Sequence, residues 1–413
     1  MISAFVPTEI LSGEPRVAAS PETVKRLVGL GLDVAVETGA GLASRITDAE
    51  FERAGASIGK ASDAAKADVV LKVRRPSEAE LETYKKGALI IATMDPYDNK
   101  AAVAAMGKAG VTAFAMEFMP RITRAQSMDV LSSQANLAGY QAVIDAAAEY
   151  DRALPMMMTA AGTVPAAKVF VMGAGVAGLQ AIATARRLGA VVTATDVRPA
   201  AKEQVASLGA KFIAVEDEEF KAAETAGGYA KEMSKEYQAK QAALIAEHIA
   251  KQDIVITTAL IPGSPAPRLI SAEMVASMKP GSVIVDLAVE RGGNVEGAVA
   301  GEVVTTNSGV KILGHLNMPG RVAASSSLLY AKNLYAFLET IVDKEAKALA
   351  IDPEDELVKA TMLTHEGRVV HPAFAAEEVD REVSPAARGT EPGLDVAPEL
   401  ARKAAKATSE GDA

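Results

Sequence analysis

Lys168-Val169-Phe170-Val171-Met172-Gly173-Ala174-Gly175-Val176-Ala177-Gly178 is the stretch that decides the fold of this 413-residue chain. It opens with an aliphatic run of strand length, continues with glycine at the first, third and sixth places of a turn, and passes into helical periodicity over residues 179–188. Gly173 permits a tight turn, Gly175 lets a pyrophosphate approach the backbone, and Gly178 lets helix and strand pack closely. The helix N-terminus then faces the phosphate charge. A second strand over 191–195 ends at Asp196, 23 residues after Gly173. That is close to the ~20 at which an acid bonds the adenosine ribose of a dinucleotide. An acid there favours NAD over NADP by repelling a 2′-phosphate; Arg198 complicates this, being able to lie over the adenine. The competing reading, a glycine-rich packing turn beside a solvated aspartate, is disfavoured by the strand–turn–helix context.

The same rhythm runs outward in both directions. Strands are expected over 2–6, 33–37, 67–73, 89–94 and 112–115, and again over 211–214, 253–257, 282–286 and 310–313. Helices are expected over 20–30, with Ser20 as cap ahead of Pro21, over 138–150, and over 325–342. The expected fold is α/β: two Rossmann-like, doubly wound parallel-sheet domains with a cleft between them. Residues 1–137 plus 318–376 form a discontinuous N-terminal domain in this reading, and 138–317 the NAD(H)-binding domain. Residues 377–413, rich in Pro, Ala and charge without an apolar face, are expected to be a disordered tail.

Composition narrows the function. Apolar residues make up 49% and aromatics 4%, with no Trp, which suits buried parallel sheets packed by aliphatics. A net charge of -10 offers nucleic acid no cationic face. No cysteine is present, which excludes disulfides and thiolate chemistry. No signal peptide is apparent at Met1, and the apolar runs at 88–94 and 254–262 fall short of the ~20 residues that span a bilayer. A soluble intracellular protein without direct membrane insertion is expected.

Ligands of such sheets bind beyond the strands' carboxyl ends. That makes Thr258-Ala259-Leu260 and residues 286–293 further candidates for the nucleotide site, against the plainer readings of strand-to-loop structure and a packing turn. A dehydrogenase that reduces a carbonyl must also supply a proton. The four histidines, His248, His315, His365 and His371, all lie after residue 247, so the N-terminal domain has no imidazole to offer. Hydride transfer between two nicotinamide rings needs no general acid, only ring placement and exclusion of water.

One run is more specific than any of these: Arg121-Ile122-Thr123-Arg124-Ala125-Gln126-Ser127-Met128-Asp129-Val130-Leu131-Ser132-Ser133-Gln134. With residues 171–178 and 286–293, it resembles the NAD(H)-binding component of proton-translocating NAD(P) transhydrogenases, over residues 1 to about 375. The resemblance implies that Arg121, Gln126, Asp129 and Ser132 hold the dihydronicotinamide ring and its ribose, Asp129 and Arg121 orienting each other. A capped helix start with a surface ion pair is the plain alternative. It implies further that Tyr229, beside the paired glycines Gly227 and Gly228, belongs to a mobile loop that closes over nucleotide. Asn136, Val197 and Gly228 complete the set of candidate nucleotide contacts. The implied assembly is a homodimer, peripheral on the inner face of the cell membrane, docked to membrane subunits and to a subunit carrying NADP(H). The resemblance is to the split form of the enzyme, in which the membrane helices are expected on separate polypeptides.

Alanine dehydrogenases share much of the pattern, including Gly13-Glu14-Pro15-Arg16-Val17 and Lys72-Val73. Ala92-Thr93-Met94-Asp95 stands where their catalytic His would be, and Glu290 replaces their catalytic Asp. An alanine-type dehydrogenase gripping a carboxylate with Arg16 and Lys72 is the second reading; a nucleotide-sensing module without turnover is the third.

Overall fold

The computed structural model describes residues 2–221, 233–261 and 263–375. The candidates Gly228 and Tyr229, and the 377–413 tail, lie outside them. Two large sheets carry the chain, both within one compact unit, Met1–His371. Six strands open the first: β1 (Ile2–Val6), β2 (Leu32–Glu37), β3 (Ser57–Gly59), β4 (Val69–Arg74), β5 (Leu89–Thr93) and β6 (Thr112–Ala115). An exposed hairpin, β7 (Met157–Thr159) and β8 (Gly162–Val164), precedes the second sheet. That sheet holds β9 (Lys168–Met172), β10 (Val191–Thr195), β11 (Lys211–Phe212), β12 (Ile254–Thr257), β13 (Val283–Asp286), β14 (Val303–Thr305) and β15 (Lys311–Leu313). A small pair, β16 (Val342–Asp343) with β17 (Ala348–Leu349), then leads to β18 (Met362–His365) and β19 (Arg368–Val369).

The strand orders are β19-β18-β6-β5-β4-β1-β2-β3 and β11-β10-β9-β12-β13-β15-β14. Within each, six parallel strands run in the doubly wound order, turning back beside β1 and β9, where ligands of such sheets bind. The fold class is as expected, with one correction: the sheets are not wholly parallel. β18 and β19 close one edge antiparallel, and β14 closes the other sheet in the same way. Edge pairings of two to four residues carry too little periodicity to be seen in sequence. Strand interiors are aliphatic and fully buried, Val69, Val70, Ile90 and Ile91 in one sheet, Val171, Ile256 and Val285 in the other. Helix Pro21–Gly29 starts as expected, with Ser20 accepting the Thr23 N–H.

A 20-residue helix, Val130–Glu149, joins the two halves and begins a full two turns earlier than its sequence suggests. Its first turns, Ser132-Ser133-Gln134-Ala135-Asn136, have no apolar stripe and lie ahead of the helix expected over 138–150. They are helical because partners lie beside them: Ser133 Oγ donates to Asn333 Oδ1 (2.7 Å) and Gln134 Nε2 to the Ser326 carbonyl (3.2 Å), both on helix Ala323–Thr340. Further along, Gly139 meets the dinucleotide helix Val176–Arg187 so closely that a Cβ would overlap the Ala177 carbonyl oxygen. Gly139→Val must therefore force the two helices apart. We expect a loss of about 3 kcal/mol in urea unfolding, with Gly139→Ala intermediate; an unchanged midpoint would show that the crossing has slack.

Candidate functional site

The glycine turn after β9 has the geometry its sequence implies. Gly173 has φ +107°, and a Cβ there would overlap Thr258 Oγ1; a Cβ at Gly178 would overlap the Gly173 carbonyl. Gly175, by contrast, has open space where its Cβ would be. It is also the N-cap of helix Val176–Arg187 and makes no side-chain cap hydrogen bond, so the first-turn N–H groups have no side-chain acceptor. Two glycines thus keep the turn tight and one keeps it open to a ligand.

A cavity of about 500 Å³ lies over this turn, its far wall formed by the segment after β6. Arg121, Gln126, Asp129 and Ser132 line it together with Ala174, Gly175, Val176 and Arg198. Four candidates from the first half of the chain therefore face four from the second. The wall is firmly held. Arg124 makes a bidentate pair with Asp355 (2.8 Å for both bonds), Asn333 Nδ2 donates to the Ser127 carbonyl (2.8 Å), and Ala125 and Met128 are buried. Asp129 caps helix Val130–Glu149, its carboxylate accepting the Ser132 N–H (2.8 Å) and the Ser132 hydroxyl (2.5 Å). Asp129 and Arg121 were expected to orient each other; among the described residues no ion pair joins them, because the helix N-terminus claims the carboxylate. Arg121 and Gln126 are exposed to the cavity.

Asp196 sits at the end of β10, with one carboxylate oxygen on the Ala174 N–H (2.7 Å). Arg198 occupies the carboxylate as well, through its backbone N–H (2.9 Å), Nε (2.9 Å) and a terminal guanidinium nitrogen (3.0 Å). Burial works to raise the Asp196 carboxyl, but these hydrogen bonds and the Arg198 charge outweigh it and hold it below the usual range.

Several other candidates do not line the cavity. Thr258 packs on the glycine turn, Ala259 is tied to buried Asn294 in both directions, and Leu260 and Val197 are exposed. Asn136 bridges to Gln180 across the two helices (3.2 Å). The loop after β13 is shaped by its own Asp286, which accepts the Ala288 and Val295 N–H groups. Its Arg291 pairs with Asp95 and Asp98 in the loop after β5, tying the two halves together a second time. Among cavity residues the sequence did not single out are Leu179 and Gln204; Gln204, a polar residue on the helix after Asp196, is the one with a readable signal.

Among the described residues no histidine lines the cavity. His248 bonds Thr193 (2.8 Å), His365 bonds Thr112 (3.2 Å), His371 stacks on Phe118, and burial pulls His315 below its ordinary pKa. Arg16 and Lys72 are equally committed. Arg16 is bidentate to Glu14 (2.7 and 2.6 Å) and bonds Gln134 (2.8 Å); Lys72 is held by Glu80 (2.6 Å) and Glu9 (3.5 Å).

With this geometry in place, two family models divide the chain. The N-terminal domain of the alanine dehydrogenase/PNT family matches residues 5–138, and its C-terminal domain matches residues 142–372. The chain belongs to that family. Within the alanine dehydrogenase/PNT family it is similar to an NAD(P) transhydrogenase subunit alpha polypeptide of Rhodospirillum rubrum, 58% identical over 379 residues, which are 90% of this chain and 98% of the relative. The solved transhydrogenase structure from Sinorhizobium meliloti is 70% identical, covers 89% of this chain and 100% of that one, and superposes with a TM-score of 0.83. Alanine dehydrogenase 1 of Staphylococcus aureus is more distant, 30% identical over 385 residues, 89% of this chain and 94% of the relative. The resemblance seen in the motifs is therefore borne out, and its transhydrogenase side is the nearer one.

Glu14 belongs to the Gly13–Val17 motif, but its own role was not foreseen. Burial alone raises its carboxyl; hydrogen bonds and charge from Arg16, then Arg74, outweigh this and bring it from 4.5 to about 2. Its folded pKa is thus below its unfolded one. Its contribution, on the order of 3 kcal/mol, is full above pH 4.5 and disappears as pH falls to about 2. Glu14→Gln is expected to lower the denaturant midpoint at pH 7. The gap from wild type should close between pH 4.5 and 2; a pH-independent gap would mean that packing, not charge, is what the substitution removes.

Proposed function

We propose that this chain is the NAD(H)-binding subunit of a proton-translocating NAD(P) transhydrogenase. The observation that carries the reading is the cavity that brings Arg121, Gln126, Asp129 and Ser132 against Gly175, Val176 and Arg198. The residues fit the cofactor: open space at Gly175, an uncapped helix N-terminus and Arg198 suit a pyrophosphate and adenosine, and the opposite wall offers amide, hydroxyl and guanidinium groups. Bound NADH supplies the hydride. Gln126 and Ser132 would hold the carboxamide side of the ring and Arg121 would meet the adjoining ribose; the anchored Thr123–Met128 turn carries Gln126, and helix Val130–Glu149 carries Ser132. The acceptor is NADP+ on a partner subunit, so the chain has to place one ring and exclude water, with no proton to deliver. The absence of histidine from the described cavity lining supports this.

In this reading Tyr229, which follows Gly227 and Gly228 in the sequence, would cover the bound ring. Residues 1–137 with 318–376 and residues 138–317 would act as two domains about the cleft, consistent with β18 and β19 joining the first sheet. A homodimer is also part of this reading. The β7–β8 hairpin exposes Met157 and Met158 (43% and 78%), and an isolated two-stranded hairpin is marginal in water unless covered. No described helix is long and apolar enough to cross a membrane; in this reading proton movement belongs to membrane subunits to which the chain docks peripherally. Si/Re stereospecificity and activity only with partners complete the proposal.

Two assays test it. NADH oxidation is expected with the NADP(H)-binding partner domain present, and not with pyruvate and ammonium; the reverse result would install the amino-acid dehydrogenase reading, despite Glu14 on Arg16 and Glu80 on Lys72. Gln126→Asn is expected to slow hydride transfer at least about ten-fold while NADH affinity changes less than about three-fold. Equal losses in both would show that Gln126 binds uniformly and does not set ring geometry.

A further inference from the structure

We infer that Arg198 sets how sharply this chain distinguishes NAD(H) from NADP(H), by neutralising the one acid positioned to reject a 2′-phosphate. The inference rests on the reading that nucleotide lies across the turn Gly173–Gly178 with its adenosine ribose at Asp196. In such sites an unpartnered acid at the end of the second strand accepts the ribose hydroxyls and repels a phosphate on the 2′ oxygen. Asp196 has the right place, tied to the turn through the Ala174 N–H (2.7 Å), but it is not unpartnered.

A carboxylate offers about four lone-pair sites. Here one oxygen receives the Arg198 N–H and Nε, both at 2.9 Å, and the other receives the Ala174 N–H and a terminal nitrogen of Arg198 at 3.0 Å. The Asp196 side chain is 7% exposed and that of Arg198 34%. A ribose hydroxyl can therefore reach the carboxylate only by displacing the guanidinium. The backbone bonds need not move.

The displaced guanidinium stays beside the same ribose, because it is anchored two residues from Asp196 and its side chain already lines the cavity. A planar fork with several donors is well matched to phosphate. At the 2′ position the chain thus sets a negative group against a positive one. Discrimination is the difference between them, and is smaller than Asp196 alone would give.

The ratio of dissociation constants for NADPH and NADH isolates this effect, since contacts of Arg198 with adenine or pyrophosphate are common to both nucleotides and cancel. Both are measured by nucleotide fluorescence on the full chain. Arg198→Ala is expected to raise the NADPH/NADH ratio about ten-fold or more, and Asp196→Asn to lower it by a similar factor. Wild type binding NADH with an Arg198→Ala ratio within two-fold of its own, or below it, overturns this inference and leaves the site standing. Wild type binding neither nucleotide overturns the site reading, and the inference with it.

Discussion

The contact on which the rest of this structure depends is the crossing of helix Val130–Glu149 over helix Val176–Arg187 at Gly139. One helix carries Asp129 and Ser132 at its first turn; the other begins at the glycine turn. Because the backbones touch, with no side chain between them, the distance from the Gln126 wall to Gly175 is set by two rigid cylinders. Functional groups placed by packed helices are held more firmly than groups on free loops. The C-terminal half of the longer helix is pinned as well, Asp145 by Arg321 and Glu149 by Lys311.

Around that fixed frame the electrostatics favour an anion. An uncapped helix N-terminus and two arginines, Arg121 and Arg198, face one cavity. The nearby carboxylates are each committed to a structural partner: Asp129 to its own helix, Asp196 to Arg198 and the turn, Asp286 to the loop it shapes. The arrangement suits a ligand with phosphates at the helix N-terminus and a ring beside neutral donors.

Much of this was legible beforehand, for particular reasons. Aliphatic runs such as Val169–Val171 are long enough to mark central strands, and Gly173, Gly175 and Gly178 each stand where backbone geometry demands it, so the turn could be read residue by residue. Ser20 before Pro21 announced a helix start that the structure has. The 121–134 segment was different. Its residues look like a surface ion pair and cap, and only the family resemblance marked them; the cavity then brings four of them together. What stayed hidden depends on tertiary partners. Ser132-Ser133-Gln134 is helical because Asn333 and Ser326 lie beside it, and β14, β18 and β19 pair at edges too short to show a period; Glu14 with Arg16 and Asp196 with Arg198 are pairs only two residues apart, yet a spacing of two does not by itself say that the side chains meet.

Glu14 leads to a broader point. Arg16 and Lys72 are the charges that the amino-acid dehydrogenase reading would use to seize a small acid, and both are saturated from within by glutamates and shut away from water. Each glutamate, part of the chain itself, takes the place beside its cation that a free carboxylate would need. A free carboxylate reaches either cation only by displacing the glutamate already on it.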